Sequence, residues 1–223
     1  MKNIILQHWT GPKNTLVKLS QEAYEEYANR IGSQYRMVEG NVFIDDKTFD
    51  PPCQKMCILN EEFDEYDQVL MVDCDQLPVK NLMDNVFEEK GIGVFTDWIK
   101  THAYARIQRT HADLFSPTSP YFSGSFYKLD RETRIKMRQA IDDNIKRFSN
   151  KYHDEGIFHY LAAKINLTWD DTVINPGWSQ CSYYPVTRDT KMIHIRPKIE
   201  PRDDSPRRPK LDTYYNLKMQ GVF

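Results

Sequence analysis

With 223 residues, a formal net charge of −2, and 30 Lys plus Arg against 32 Asp plus Glu, the chain suits a single α/β domain and not a general nucleic-acid binder. No apolar run is long enough to span a membrane, and the start, Met1-Lys2-Asn3-Ile4-Ile5-Leu6-Gln7, is too short in apolar residues for a signal peptide. A cytoplasmic protein is expected, with Cys53, Cys57, Cys74 and Cys181 as reduced core or near-core thiols, because their spacing makes no zinc knuckle.

Residues 3 to 8 read as a first strand, closed by the turn Trp9-Thr10-Gly11-Pro12. Leu16, Leu19, Ala23, Tyr24, Tyr27, Ala28 and Ile31 share one helical face, and Gly32 supplies the stop. Tyr35 to Val38 is a second strand. An acidic loop follows and ends at Asp50-Pro51-Pro52. Met56, Leu59 and Phe63 predict a helix leading into the apolar run Val69 to Val72. Alternation of this kind points to a mostly parallel sheet flanked by helices in one domain.

Val69 to Val72 suits a strand buried on both faces, and it stops at Asp73-Cys74-Asp75. Strand alternation would turn Asp73 and Asp75 to one side and Cys74 to the other. Two carboxylates converging at the end of a buried strand are costly without a positive charge between them. Mg²⁺ or Mn²⁺ answers that need, and open α/β sheets bind ligands beyond the carboxyl ends of their strands. A solvated turn, with Pro78 ending the strand, is the plainer reading of the same residues.

Asn81 to Glu89 predicts a short helix and Gly91 to Thr96 a strand ending at Asp97-Trp98, whereas Lys100 to Ser116 carries no period. Tyr121 to Leu129 alternates weakly. Ile135, Ile141, Ile145 and Phe148 predict one basic helix from about Arg131. Ile157, Leu161 and Ile165 predict a second, with His153-Asp154-Glu155-Gly156 at its start. Late strands are expected at Thr172 to Ile174 and Lys191 to Arg196. The stretch from Pro197, basic and Pro-rich, predicts a crossing loop or mobile arm rather than a helix.

The run Lys55…Leu59…Tyr66…Val69-Leu-Met-Val-Asp-Cys-Asp-Gln-Leu-Pro-Val-Lys-Asn-Leu82…Phe87 resembles the core of GT-A glycosyltransferases, closest to the glycogenin-like retaining group. Asp97, Tyr121-Phe-Ser-Gly-Ser125, His153-Asp-Glu-Gly-Ile157 and His194-Ile-Arg-Pro-Lys198 follow in the family's order. The resemblance covers residues 1–201 as a GT-A domain (Rossmann-like), with 202–223 as a basic tail on or extending from it. It implies that Asp73, Asp75 and His194 hold Mn²⁺ (or Mg²⁺) and that a hexose moves from a nucleotide-sugar donor, UDP-glucose or UDP-galactose, to a glycan or other hydroxyl acceptor with retention. An imidazole beside two carboxylates favours Mn²⁺.

By the same resemblance His8, Trp9, Thr10, Lys55, Asp73, Cys74, Asp97, Ser123, Gly124 and Lys198 contact the donor. The chain departs from the family at Pro197 and Glu200, which stand near a usual glycine and lysine, so the cation that closes over the diphosphate stays open. Asp154 and Glu155 match an Asp-Gln pair near the sugar and are the catalytic candidates. Glu155 either holds a sugar hydroxyl, as an amide would, or serves as nucleophile or base. As plain alternatives, Asp154 and Glu155 are favourable helix N-terminal carboxylates, and His194 is a packed strand histidine. Two other functions compete: a sugar-nucleotide or glycan-binding module without catalysis, and a nucleotidyltransferase, for which Trp9-Thr-Gly-Pro-Lys13 is a poor phosphate loop. The basic tail, Arg202 to Lys210, also suits contact with anionic lipids.

Overall fold

A computed structural model describes residues 1–43, 49–94, 122–167, 173–196 and 209–223. A parallel pair opens the chain: β1 (Asn3–Trp9) and β2 (Gln34–Glu39), joined by α1 (Thr15–Arg30). Asn14 caps α1 by accepting from Val17 N–H at 3.1 Å. β3 (Gln68–Val72) adds in parallel to the other side of β1. With β5 (Gly93–Val94), β6 (Phe126–Asp130) and β7 (Val173–Ile174) they form a six-stranded sheet in the order β2-β1-β3-β6-β5-β7. Five strands run one way, and β6 runs against both its neighbours.

Burial on both faces is what the apolar runs dictate. Along β1 and β3, Ile4, Leu6, Val69 and Met71 pack on one side and Ile5, Leu70 and Val72 on the other. The second side is covered by Tyr24, Tyr27 and Ala28 of α1 and by Trp178. The first is covered by the segment Pro51–Leu59, by Met137 of α2 (Arg131–Gln139) and by Ile157, Phe158 and Leu161 of α3 (Ile145–Lys164). Each such aliphatic side chain stabilises the fold by about 1.5–3 kcal/mol.

Several elements differ from the sequence reading. Pro51–Leu59 and Glu61–Phe63 are wound as 3₁₀ turns, not as one α-helix. Gln54 is buried there and accepts from Val42 and Phe43 N–H, both at 2.8 Å, so it satisfies backbone donors of the preceding loop. Within 81–89 only Val86–Glu88 forms a helical turn. The single helix expected from Arg131 is two, separated where Asp142 accepts from Tyr160 and Lys164. α2 turns Arg134 inward, and its guanidinium donates to the carbonyls of Leu129, Phe63 and Tyr66.

A second sheet was not anticipated. β4 (Gln76–Pro78), β8 (Gln180–Cys181) and β9 (Met192–His194) form it in the order β4-β9-β8, so Pro78 continues a new strand beyond the acidic turn. The chain end is also corrected: residues 210–219, expected as loop or arm, form helix α4 (Lys210–Met219). Tyr214 of α4 is buried with Leu16, Leu77 and Ile195 and stacks on Phe223. Among the described residues, no helix is long and apolar enough to cross a membrane.

Candidate functional site

β3 ends at Val72, and Asp73, Cys74 and Asp75 occupy a tight turn in which Gln76 N–H donates to Asp73 O at 3.1 Å. The two acids therefore converge through a turn, not through strand alternation. A buried polar network fixes that turn. Gln7 Nε2 donates to Asp73 O (3.2 Å) and to Ser20 Oγ (2.8 Å), and Asp73 N–H donates to Ser125 O at 3.0 Å. Gln76 accepts from Ser179 (2.9 Å) and donates to Trp178 O (2.9 Å), while Ser179 meets Ser125 and Ser125 meets Ser123. The turn is thus tied to β1, to α1 and to the segments that precede β6 and β8, which is how a polar core rigidifies a site.

His194 reaches the acids because β9 pairs antiparallel with β4, setting Gln76 opposite His194. Its Nε2 lies 3.2 Å from Asp75 Oδ1 and 3.9 Å from Asp73 Oδ2. Ligand atoms of Asp73, Asp75 and His194 all lie within 4.8 Å of one another. The outer oxygens are engaged by lysines, Asp73 Oδ1 by Lys55 Nζ at 2.6 Å and Asp75 Oδ2 by Lys210 Nζ. Asp75 Oδ1 is buried with no hydrogen-bond partner. Burial alone would raise the Asp75 carboxyl, but His194 and Lys210 outweigh it and hold the group well below the usual carboxylate range. An ionised, orphaned oxygen facing an imidazole and a second carboxylate fits a divalent cation with mixed N and O ligands.

Lys55, 9% exposed, also meets Asp154 Oδ2 at 2.8 Å and Gly124 O at 2.7 Å. Burial opposes its charge, yet Asp154 and Asp73 together keep the ammonium well above its ordinary value. Asp154 itself is pushed up to about 6, by burial and by Asp73 and Glu155, against the lowering influence of Lys55. The asymmetry is physical: the ammonium faces two carboxylates, whereas Asp154 faces one ammonium and two further acids. Tyr127 OH also donates to Asp154, at 3.1 Å.

α3 is broken at His153, whose φ of 51° and ψ of −134° leave the helical region, so Asp154 and Glu155 open a fresh helical segment as expected. Such backbone in a non-glycine residue costs about 1–3 kcal/mol and gathers at functional sites. Glu155 Oε1 accepts from Gly124 N–H at 2.8 Å. A Cβ at Gly124 would lie 2.7 Å from Asp154 Oδ2 and 2.7 Å from Glu155 Cγ, so only glycine permits this approach. His159, one turn on, was not singled out from the sequence. Its Nε2 accepts from Phe122 N–H (2.8 Å), which leaves the proton on Nδ1 to donate to Glu155 O (2.6 Å). Burial lowers its pKa and so favours the neutral ring that these two bonds require.

Lys55, Asp73 and Asp75 line a cleft of about 410 Å³ together with His8, Trp9, Thr10, Cys74, Lys210, Pro51 and Pro52. His8 is mostly buried, with Nε2 2.7 Å from Gly40 O; burial lowers its pKa. Trp9 is half-buried and Thr10 exposed. Cys74 points away from the acids, its Sγ donating to His8 O at 3.3 Å, and burial pushes the thiol up to about 12. Ser123 is buried in the polar network. Asp97 and Lys198 lie outside the described residues, as does Tyr121 of the Ser-Gly segment. Lys210 was not among the sequence candidates.

No protein-family model and no curated protein matches the chain. Solved structures do. A glycosyltransferase involved in glycosylation of the major capsid of PBCV-1 is 12% identical with a TM-score of 0.54, over 98% of this chain and 100% of that one. An active-site mutant of LgtC is 10% identical with a TM-score of 0.61, over 97% and 95% of the two chains. The galactosyltransferase LgtC in complex with donor and acceptor sugar analogues is 11% identical with a TM-score of 0.54, over 86% of each. At such identities the likeness shows the fold, and that fold is the GT-A architecture of these glycosyltransferases, as the sequence resemblance implied.

Proposed function

We propose that the protein is a metal-dependent glycosyltransferase that moves a hexose from a UDP-sugar, UDP-glucose or UDP-galactose, to a glycan or other hydroxyl acceptor with retention. The carrying observation is the convergence of Asp73, Asp75 and His194 beyond β3, where the two acids also line the cleft. Asp73, Asp75 and His194 would hold the cation, with Mn²⁺ favoured over Mg²⁺ by the imidazole. When bound, the cation supplies Lewis-acid stabilisation of the departing diphosphate.

The chain's own groups take the remaining tasks. Trp9, half-buried at the end of β1, offers a face for the base, beside His8 and Thr10. Lys55 donates to Asp73 and pins Gly124 through its carbonyl. Glu155 is held as an acceptor by Gly124 N–H, in position to orient a sugar hydroxyl beside Asp154. That fixed acceptor role favours the contact reading of Glu155 over the nucleophile, with the acceptor attacking on the face the diphosphate leaves.

Screening a panel of nucleotide sugars for Mn²⁺-dependent release of nucleotide tests the proposal. Release from a UDP-hexose, lost on chelation, is the expected result. Tight binding of UDP-sugar with no release, with or without acceptors, would make the protein a binding module, and turnover of a sugar phosphate with a nucleoside triphosphate would make it a nucleotidyltransferase.

A further inference from the structure

Asp73 and Asp75 each turn one oxygen toward His194 and give the other to a lysine, but the two lysines are held very differently. Lys55 is 9% exposed and anchored by three acceptors, Asp73, Asp154 and Gly124 O. Lys210 has a side chain 38% exposed, is the first residue of α4, and lines the cleft. Its helix is fastened by buried Tyr214 against Leu16, Leu77 and Ile195, so the backbone is fixed, and the ammonium is carried on a flexible four-carbon stem.

Charge decides what such a lysine does. At the acidic turn, Lys55 and Lys210 each set an ammonium against one carboxylate oxygen, of Asp73 and Asp75 respectively. With Lys210 in place, the cluster draws a bare divalent cation weakly. Without it, the Asp75 carboxylate faces the cation with no competing ammonium. We propose that Lys210 is a resident cation of the acidic turn that makes divalent-cation binding conditional on the diphosphate, passing its ammonium from Asp75 Oδ2 to a phosphate oxygen as both ligands arrive. This inference rests on the proposed function, since it takes the cleft to bind a divalent cation and a nucleoside diphosphate. It assigns the closing cation that the departure at Pro197 and Glu200 leaves open. By linkage, the cation and the nucleotide strengthen each other's binding by the same factor.

The test is Mn²⁺ binding itself, followed by the electron paramagnetic resonance signal of the free ion, with and without UDP. The proteins are wild type, Lys210→Met and Lys210→Gln, each checked for an unchanged thermal unfolding midpoint. For an exchanging lysine, both variants bind Mn²⁺ alone at least about tenfold more tightly than wild type, and UDP tightens their Mn²⁺ binding at least about tenfold less than it does in wild type. Mn²⁺ affinity that is unchanged or weaker in both variants overturns the inference; the weaker result makes Lys210 a group that merely orients Asp75. Retention of the full UDP effect also overturns it. Asp75→Ala separates the two levels of the argument. If it abolishes Mn²⁺ binding while the Lys210 variants match wild type, only this inference fails. If no form binds Mn²⁺ even with UDP, the metal-dependent function fails with it.

Discussion

Replacing Lys55 by Met removes the ammonium shared by Asp73 (2.6 Å), Asp154 (2.8 Å) and Gly124 O (2.7 Å). Asp154, 5% exposed, keeps Tyr127 OH as a donor but loses its countercharge. Removing one partner of a buried ion pair costs about 3–5 kcal/mol. The loss should depend on pH, and its sign follows from Asp154. In wild type this carboxyl stands at about 6, against 3.8 for the ordinary group. A carboxyl raised by folding favours the folded state below its unfolded value, and that benefit disappears as pH rises through the folded value. Between those limits Asp154 alone accounts for about 3 kcal/mol. Without Lys55 the folded value climbs further, so the Met variant should be weakest above neutrality and recover most of its stability at about pH 5. Urea unfolding at about pH 5 and about pH 7.5 reads this directly. Adding Asp154→Asn to Lys55→Met should restore about 2 kcal/mol or more at the higher pH, because it removes the stranded charge. A loss under about 1 kcal/mol, or an equal loss at both pH values, would refute the reasoning.

Asp75→Ala should abolish Mn²⁺-dependent donor binding, measured calorimetrically at limiting Mn²⁺; intact affinity would remove Asp75 from the ligand set. Glu155→Gln keeps the oxygen that accepts from Gly124 N–H, so turnover should stay within about tenfold, whereas a fall of about a hundredfold with unchanged donor affinity would mean a nucleophile or base. Lys128, buried in β6, donates to the carbonyls of Val86 and Glu89, and burial lowers its pKa from 10.5 to about 8. The unfolded chain then holds that proton more tightly, so stability should rise between those two pH values in wild type and stay flat for Lys128 in Lys128→Met; equal alkaline profiles would show the ammonium is not penalised.

The parts of this protein legible in its sequence are those where one physical signal dominates. Val69 to Val72 has no polar side to offer water, and it lies on both sides of the sheet core. Helix α1 carries its stripe of Leu16, Tyr24, Tyr27 and Ala28 to the buried side, as the spacing predicts. The short strands β4 and β8 escape notice because three and two residues give no period; they exist through pairing with β9. β6 reads weakly because Lys128 interrupts its apolar alternation, and that lysine is buried all the same. The 3₁₀ winding of Pro51–Leu59 is equally invisible, since Cys53 to Leu59 are all buried and leave no polar side to mark a period.

The site shows the same division more sharply. Two carboxylates at the end of a buried strand demand positive charge, and from the sequence alone that charge is a metal between them. The structure supplies it twice more, from outside. Lys55 was reachable through the family resemblance. Lys210 was not, being 135 residues from Asp75 in a stretch whose composition speaks for a loop. Yet the lysines do not displace the metal reading. They take Asp73 Oδ1 and Asp75 Oδ2 and leave Asp73 Oδ2 and Asp75 Oδ1 turned toward His194, the second of these buried without a hydrogen bond. Burying a carboxylate oxygen that makes no hydrogen bond and lies 3.2 Å from an imidazole nitrogen is costly unless a cation meets it. The buried oxygen beside His194 is therefore the feature that favours a cation site over ion pairing alone, and no composition or spacing rule could have revealed it.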